Sequence, residues 1–170
     1  APAEWLPHIS LAMTLLQCTC PGVPDIYQGQ ELWRFDLVDP DNRRPVDWAK
    51  RDAAMEERTL PSLETDAVGL NRLHVIRRAL SLRRERPDLF HSYEPLVLAG
   101  PAKDHALAFA RGGGVVSVVA LRPQAEWAET SVELPAGDFE PVLVGGARHS
   151  GRVRLAALFD VLPVALLRAV

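Results

Sequence analysis

The chain has 170 residues, 48 % of them hydrophobic, and a formal net charge of −3, which suits a soluble globular protein of one ordinary domain or two small ones and gives no basic excess for nucleic acid. No apolar run approaches the roughly 20 residues of a membrane span, and no basic segment precedes the N-terminal apolar stretch, so neither an anchor nor a signal peptide is expected. Cys18 and Cys20 are too close for ordinary disulfide geometry, which fits a reduced, cytoplasmic compartment, and the scattered histidines lack metal-site spacing, so no metal or other cofactor is expected.

From about Glu4 to Gln17, Trp5, Ile9, Ala12, Met13 and Leu16 recur at helical spacing, and Leu6, Leu11 and Leu15 widen the stripe. Such a helix needs cover on most sides, and Pro7 fits only its first turn. Because the chain starts without methionine inside this helix, it reads as a piece of a longer polypeptide. Residues 24–28, bracketed by prolines and glycines, predict a very short buried strand that opens into a long polar loop.

Asp47 can cap a helix from about Trp48 to Thr59, and Asp66 a second from about Ala67 to Arg84, stopped by Pro87. Leu73, Ile76 and Leu80 form the buried stripe of the second, while Arg77, Arg78, Arg83, Arg84 and Arg86 read as its solvated face. Beyond Tyr93 the pattern changes to short β-rich runs: Pro95–Ala99, His105–Ala110, Val115–Leu121, Thr130–Leu134, Pro141–Val144, Arg152–Leu155 and Pro163–Leu167. Glycine-rich turns separate them, predicting an antiparallel sandwich of about seven strands after a boundary near His91.

The loop from Glu31 to Trp48 concentrates aromatic rings, aspartates and arginines, the groups that a polyhydroxylated ligand needs for its C–H faces and its hydroxyls. Within and before it, Pro21-Gly22-x-Pro24-x-x-Tyr27-x-Gly29-x-Glu31 resembles the eighth-strand motif of the α-amylase superfamily (glycoside hydrolase family 13). The continuation Leu37-Val38-Asp39-Pro40-Asp41-Asn42-Arg43-Arg44-Pro45-Val46-Asp47 is similar to the narrower group of maltooligosyl trehalose synthases, as are residues 76–90 and the ending Leu162–Leu167.

The resemblance implies an α+β chain: residues 1–92 as the terminal helix–strand–helix part of a (β/α)8 barrel, and residues 93–170 as a C-terminal antiparallel β-sandwich domain. It implies an intramolecular transglucosylation that turns the reducing-end α-1,4 linkage of a maltooligosaccharide into an α,α-1,1 linkage, with the reacting carboxylates about 5 Å apart on barrel strands upstream. No catalytic residue is then expected in this chain. Tyr27, Trp33, Asp39, Asp41, Asn42, Arg43 and Arg44 are the candidate substrate-binding residues. For the 39–44 group, a lattice that only stiffens the loop stays open as an alternative to sugar contact.

The implied partners are the maltooligosaccharide and the missing N-terminal barrel, with self-association of the chain through its apolar residues 5–16 and 23–28 as a further expectation. Two other readings are another hydrolase or transglucosylase of the superfamily, and a non-catalytic glucan-binding β-sandwich module.

Overall fold

The computed structural model describes residues 3–35, 43–57 and 59–170. A 3-10 turn leads into helix α1, Leu6–Thr19, with Pro7 in the first turn, where its missing N–H would have had no helical partner. Helix α2, Trp48–Glu56, starts where the Asp47 carboxylate accepts from the Lys50 amide at 2.9 Å. Helix α3, Leu70–Glu85, begins three residues later than its periodicity suggests, because Gly69 takes φ +102°. Asp66 nonetheless caps it, reaching forward to accept from the amides of Gly69 (2.7 Å), Leu70 (2.9 Å) and Asn71 (2.9 Å). Three of the orphan donors of the helix start are satisfied by one buried carboxylate.

The remaining strands are β1 (Glu94–Pro95), β2 (Leu98–Ala99), β3 (Ala106–Arg111), β4 (Val115–Ala120), β5 (Ser131–Glu133), β6 (Phe139–Pro141), β7 (Arg152–Arg154) and β8 (Val164–Ala169), with a short helix α4 (Leu155–Leu158) before the last. They form two sheets, ordered β1-β3-β4-β8-β6 and β2-β5-β7, in which every pairing is antiparallel. The run expected as one strand at 95–99 is divided between the sheets: Pro95 pairs with Phe109, and Leu98 with Val132. The chain crosses the corner there. Pro141, which has no amide to give, lies on the edge strand β6, and the strand starts two residues earlier than expected. Helix α4 was not foreseen.

Strand β4 is buried along its whole length. Its side chains alternate between two cores. Val116 and Val118 face the smaller sheet and pack with Val132, Val153, Leu155 and Phe139. Val115 and Val119 face the other way and join Leu11 and Leu15 of α1 and Val75, Ile76 and Ala79 of α3. The order of layers is therefore helices, large sheet, small sheet, and the first core draws residues from both sides of position 92.

Three expectations are corrected by this packing. No strand forms at 24–28, since extended backbone becomes a strand only when a neighbour supplies the ladder, and among the described residues every strand lies at or beyond Glu94. Residues 24–28 are half-buried or exposed rather than buried. The apolar stripe of α1 is covered by α3 and the sheet within one molecule, so residues 5–16 offer no broad surface for a second copy, although Met13 remains exposed.

The arginines of α3 are also not a merely solvated face: Arg77 donates to the Met55 carbonyl, Arg78 to Val142 at 2.8 Å and Arg83 to Cys18 at 3.2 Å. Cys18 packs in the core, and its burial pushes the thiol up to about 11 against an ordinary value of 9.0. Among the described residues, no helix is long and apolar enough to cross a membrane.

Replacing Asp66 by Ala strands three amides at the start of α3, two of them in buried surroundings. The expected loss is about 2–3 kcal/mol, read from urea unfolding of the 170-residue chain. A loss below about 0.5 kcal/mol would show that the cap does not hold this helix.

Candidate functional site

The loop singled out by composition has two limbs, residues 27–35 and 43–51, that are pinned together. After α1 the backbone runs extended to Tyr27 and turns, with the Gln30 amide donating to the Tyr27 carbonyl at 3.0 Å. Gly29 sits in the turn with φ +88°, and a Cβ there would lie 2.7 Å from Arg34 Nη1 and 3.1 Å from Val46 Cγ2, so the two limbs approach one another at a position that admits no side chain. Arg51, on α2, makes the joint. It donates to Glu31 Oε2 at 3.1 Å, to the Asp47 carbonyl at 3.0 Å and to the Gly29 carbonyl. Glu31 is thereby an anchor of the loop.

A second tie holds the first limb to α3. The indole N–H of Trp33 donates to the Asp66 carbonyl at 2.6 Å, and the Trp33 amide donates to Val68 at 3.1 Å. Gly69 makes this approach possible, because a Cβ on it would fall 2.3 Å from the Trp33 amide nitrogen. Leu32, 2 % exposed, closes a small apolar cluster with Ala54 of α2 and Leu73 of α3. The Asp66 side chain that caps α3 and the Asp66 carbonyl that receives the indole belong to one turn, so helix start and loop are fixed together.

On this base stand the aromatic groups. Phe35 stacks on Trp33, with ring centroids 5.9 Å apart and planes 18° from parallel, and it is the exposed member of the pair. Tyr27 and Trp48 are each about half exposed, at 46 % and 54 %. Arg43 and Arg44 are exposed at the start of the second limb. Asp39, Asp41 and Asn42 lie outside the described residues. Trp33 thus has its polar edge committed to the fold, and Phe35 presents the open ring. Sequence reasoning missed Phe35 and Arg51. A signal for Arg51 existed, since it stands four residues after the cap Asp47, where its head can return to the helix start.

No family model matches the chain. A protein of Mycobacterium tuberculosis that carries the name maltooligosyl trehalose synthase is 42 % identical over 164 residues, 93 % of this chain and 20 % of that protein. The solved maltooligosyltrehalose synthase of Arthrobacter ramosus superposes with a TM-score of 0.84 at 38 % identity, over 94 % of this chain and 22 % of the other. The chain matches the C-terminal part of the maltooligosyl trehalose synthases. The DSM5389 glycosyltrehalose synthase aligns more distantly, with a TM-score of 0.77 at 29 % identity, over 98 % of this chain and 21 % of that one. The chain spans about a fifth of the length of the curated synthases it matches.

Arrayed this way, the loop can offer ring faces and guanidinium donors to a neutral polyol, and its first limb is rigid where it meets α2 and α3. In the 170-residue chain, Gly69→Ala should cost about 2 kcal/mol or more, from the left-handed backbone together with the contact on Trp33. Gly145→Ala, in open space at an ordinary φ, serves as the neutral control. Equal urea midpoints for the two variants would contradict the close approach of Gly69 to Trp33.

Proposed function

We propose that this chain is the closing sector of a maltooligosyl trehalose synthase, acting in the cytoplasm, and that it contributes a pocket wall rather than the reacting acids. In this reading residues 1–92 complete a (β/α)8 barrel as its seventh helix, eighth strand and eighth helix, and residues 93–170 form the β-sandwich that follows. The segment 24–28, without a strand partner here, takes its place in the sheet when the upstream strands are beside it. The observation that carries the reading is the agreement of sequence and fold along more than nine-tenths of the chain with synthases of which it covers 20 % and 22 %.

The reaction that follows is an intramolecular glucosyl transfer. A carboxylate upstream takes the maltooligosaccharide chain as a covalent glycosyl-enzyme, and the released glucose stays in the pocket, turns, and attacks through its anomeric hydroxyl to give the α,α-1,1 linkage. Water is the competitor. The wall must therefore hold the free glucose in place and keep the site dry, since both orientation and exclusion of water favour the sugar nucleophile. Tyr27 and Trp33, with Phe35 stacked beside it, give the wall its rings. Asp39, Asp41, Asn42, Arg43 and Arg44 supply the donors and acceptors for the glucose hydroxyls.

The test is made in a full-length synthase that carries this sector, with maltopentaose as substrate and products resolved by chromatography. Arg43→Ala should raise the share of hydrolysis over isomerisation by about fivefold or more, while the overall consumption of substrate falls less. An unchanged ratio would remove residues 27–48 from the pocket wall.

A further inference from the structure

Two arginines from distant parts of the chain converge on the end of α1. Arg111, the last residue of β3, is 3 % exposed, and its guanidinium donates to the carbonyls of Thr19 at 2.5 Å, of Phe90 and of Ser92. Arg83, on α3, donates to the carbonyls of Cys18 and Gly22. Both lie by the Phe90 ring, at 5.0 Å for Arg83 and 5.6 Å for Arg111. Among the described residues no carboxylate pairs with Arg111. The last carbonyls of a helix have no helical donor and carry its negative end, so two cations are well placed there.

For packing alone this is an expensive arrangement, since a buried charge is held at a desolvation cost that an apolar side chain of similar volume avoids. What it secures is direction. The carbonyls it grips, at 18, 19 and 22, are those where the chain leaves α1 for Tyr27 and the first limb of the loop. Gly112, next to Arg111, strengthens the grip: with φ +54° it lies so close to Leu89 that a Cβ would sit 2.7 Å from its backbone, and its amide donates to Ser92 Oγ at 2.9 Å. The hairpin of the large sheet is thus pressed onto residues 89–92 and, through Arg111, onto the end of α1.

We infer that Arg111 and Arg83 are positioning residues for the synthase reaction: they fix the exit from α1 and so set where Tyr27 and the pocket wall stand relative to the reacting glucose. The inference rests on the proposed role of residues 27–48, and it makes the β-rich half of the chain a determinant of product choice.

The experiment compares Arg83→Lys, Arg111→Lys and Arg111→Met with Arg43→Ala in the full-length synthase acting on maltopentaose. A lysine keeps the charge but gathers its three donors at one nitrogen, so it cannot reproduce the planar fork with which arginine reaches carbonyls held apart. The expected result is a fall of about tenfold in kcat for isomerisation, a raised hydrolysis share and a KM changed less than twofold or so. Melting temperatures of the two lysine variants should stay near the parent's. Millimolar guanidinium ion should recover part of the product ratio in Arg111→Met.

Lowered melting temperatures with unchanged kcat, KM and product ratio would make the pair purely structural and overturn the inference. If Arg111→Met does not fold, the lysine variants decide. A ratio moved by Arg43→Ala but by neither lysine variant rejects the clamp and leaves the pocket wall standing. If none of the variants moves the ratio, both readings fall.

Discussion

Burial of strand β4 on both of its faces is the constraint from which the rest of the structure follows. A strand whose sequence is Val-Val-Ser-Val-Val-Ala has no side to show to water, and each valine it buries is worth about 1.5 kcal/mol or more. One face is covered by the small sheet and the other by α1 and α3. The same requirement works in reverse. Helix α1 is apolar around most of its surface, and the sheet together with α3 covers it. Neither the helical layer nor the large sheet is complete without the other.

From that shared core the loop is held by a short chain of contacts. Helix α3 is fixed by the sheet, Asp66 fixes the start of α3, and the carbonyl of Asp66 receives the indole of Trp33. Helix α2 enters from the other side through Arg51, which gathers Glu31 and the Gly29 and Asp47 carbonyls. Polar groups with specific geometry carry this part of the structure, and they act at the few positions where glycine permits the backbones to approach. The exposed ring of Phe35, stacked on Trp33, is thereby presented from a rigid base, as the proposed role in holding a small neutral sugar requires.

Much of this was legible in the residues. The helix caps Asp47 and Asp66, the continuous β-rich runs of β3 and β4, and the turns at Gly112–Gly114 gave element types and approximate limits, because local hydrogen bonding and short apolar runs between turn residues decide them. The strand at 24–28 failed for the complementary reason: its β propensity is realised only with neighbours, and propensity says nothing about their presence. The crossing of residues 94–99 between sheets was hidden because both halves look extended.

At the site, composition found the loop but ranked its residues imperfectly. Trp33 looked like a stacking ring, yet its N–H serves the fold, and only the contact with Asp66 shows it. Arg51 and Arg111 looked like ordinary charges, since nothing in a sequence says that a guanidinium will meet backbone carbonyls from far along the chain.

If helices and sheets are one body, hydrogen exchange of the 170-residue chain under native conditions gives the most direct view of it. The amides of α1, α3, β4 and β8 should exchange through one common opening, with matching free energies and matching sensitivity to urea. Fast exchange of α1 and α3 beside a fully protected β4 and β8 would mean that the sheets stand alone, and the dependence of the loop on them would be lost.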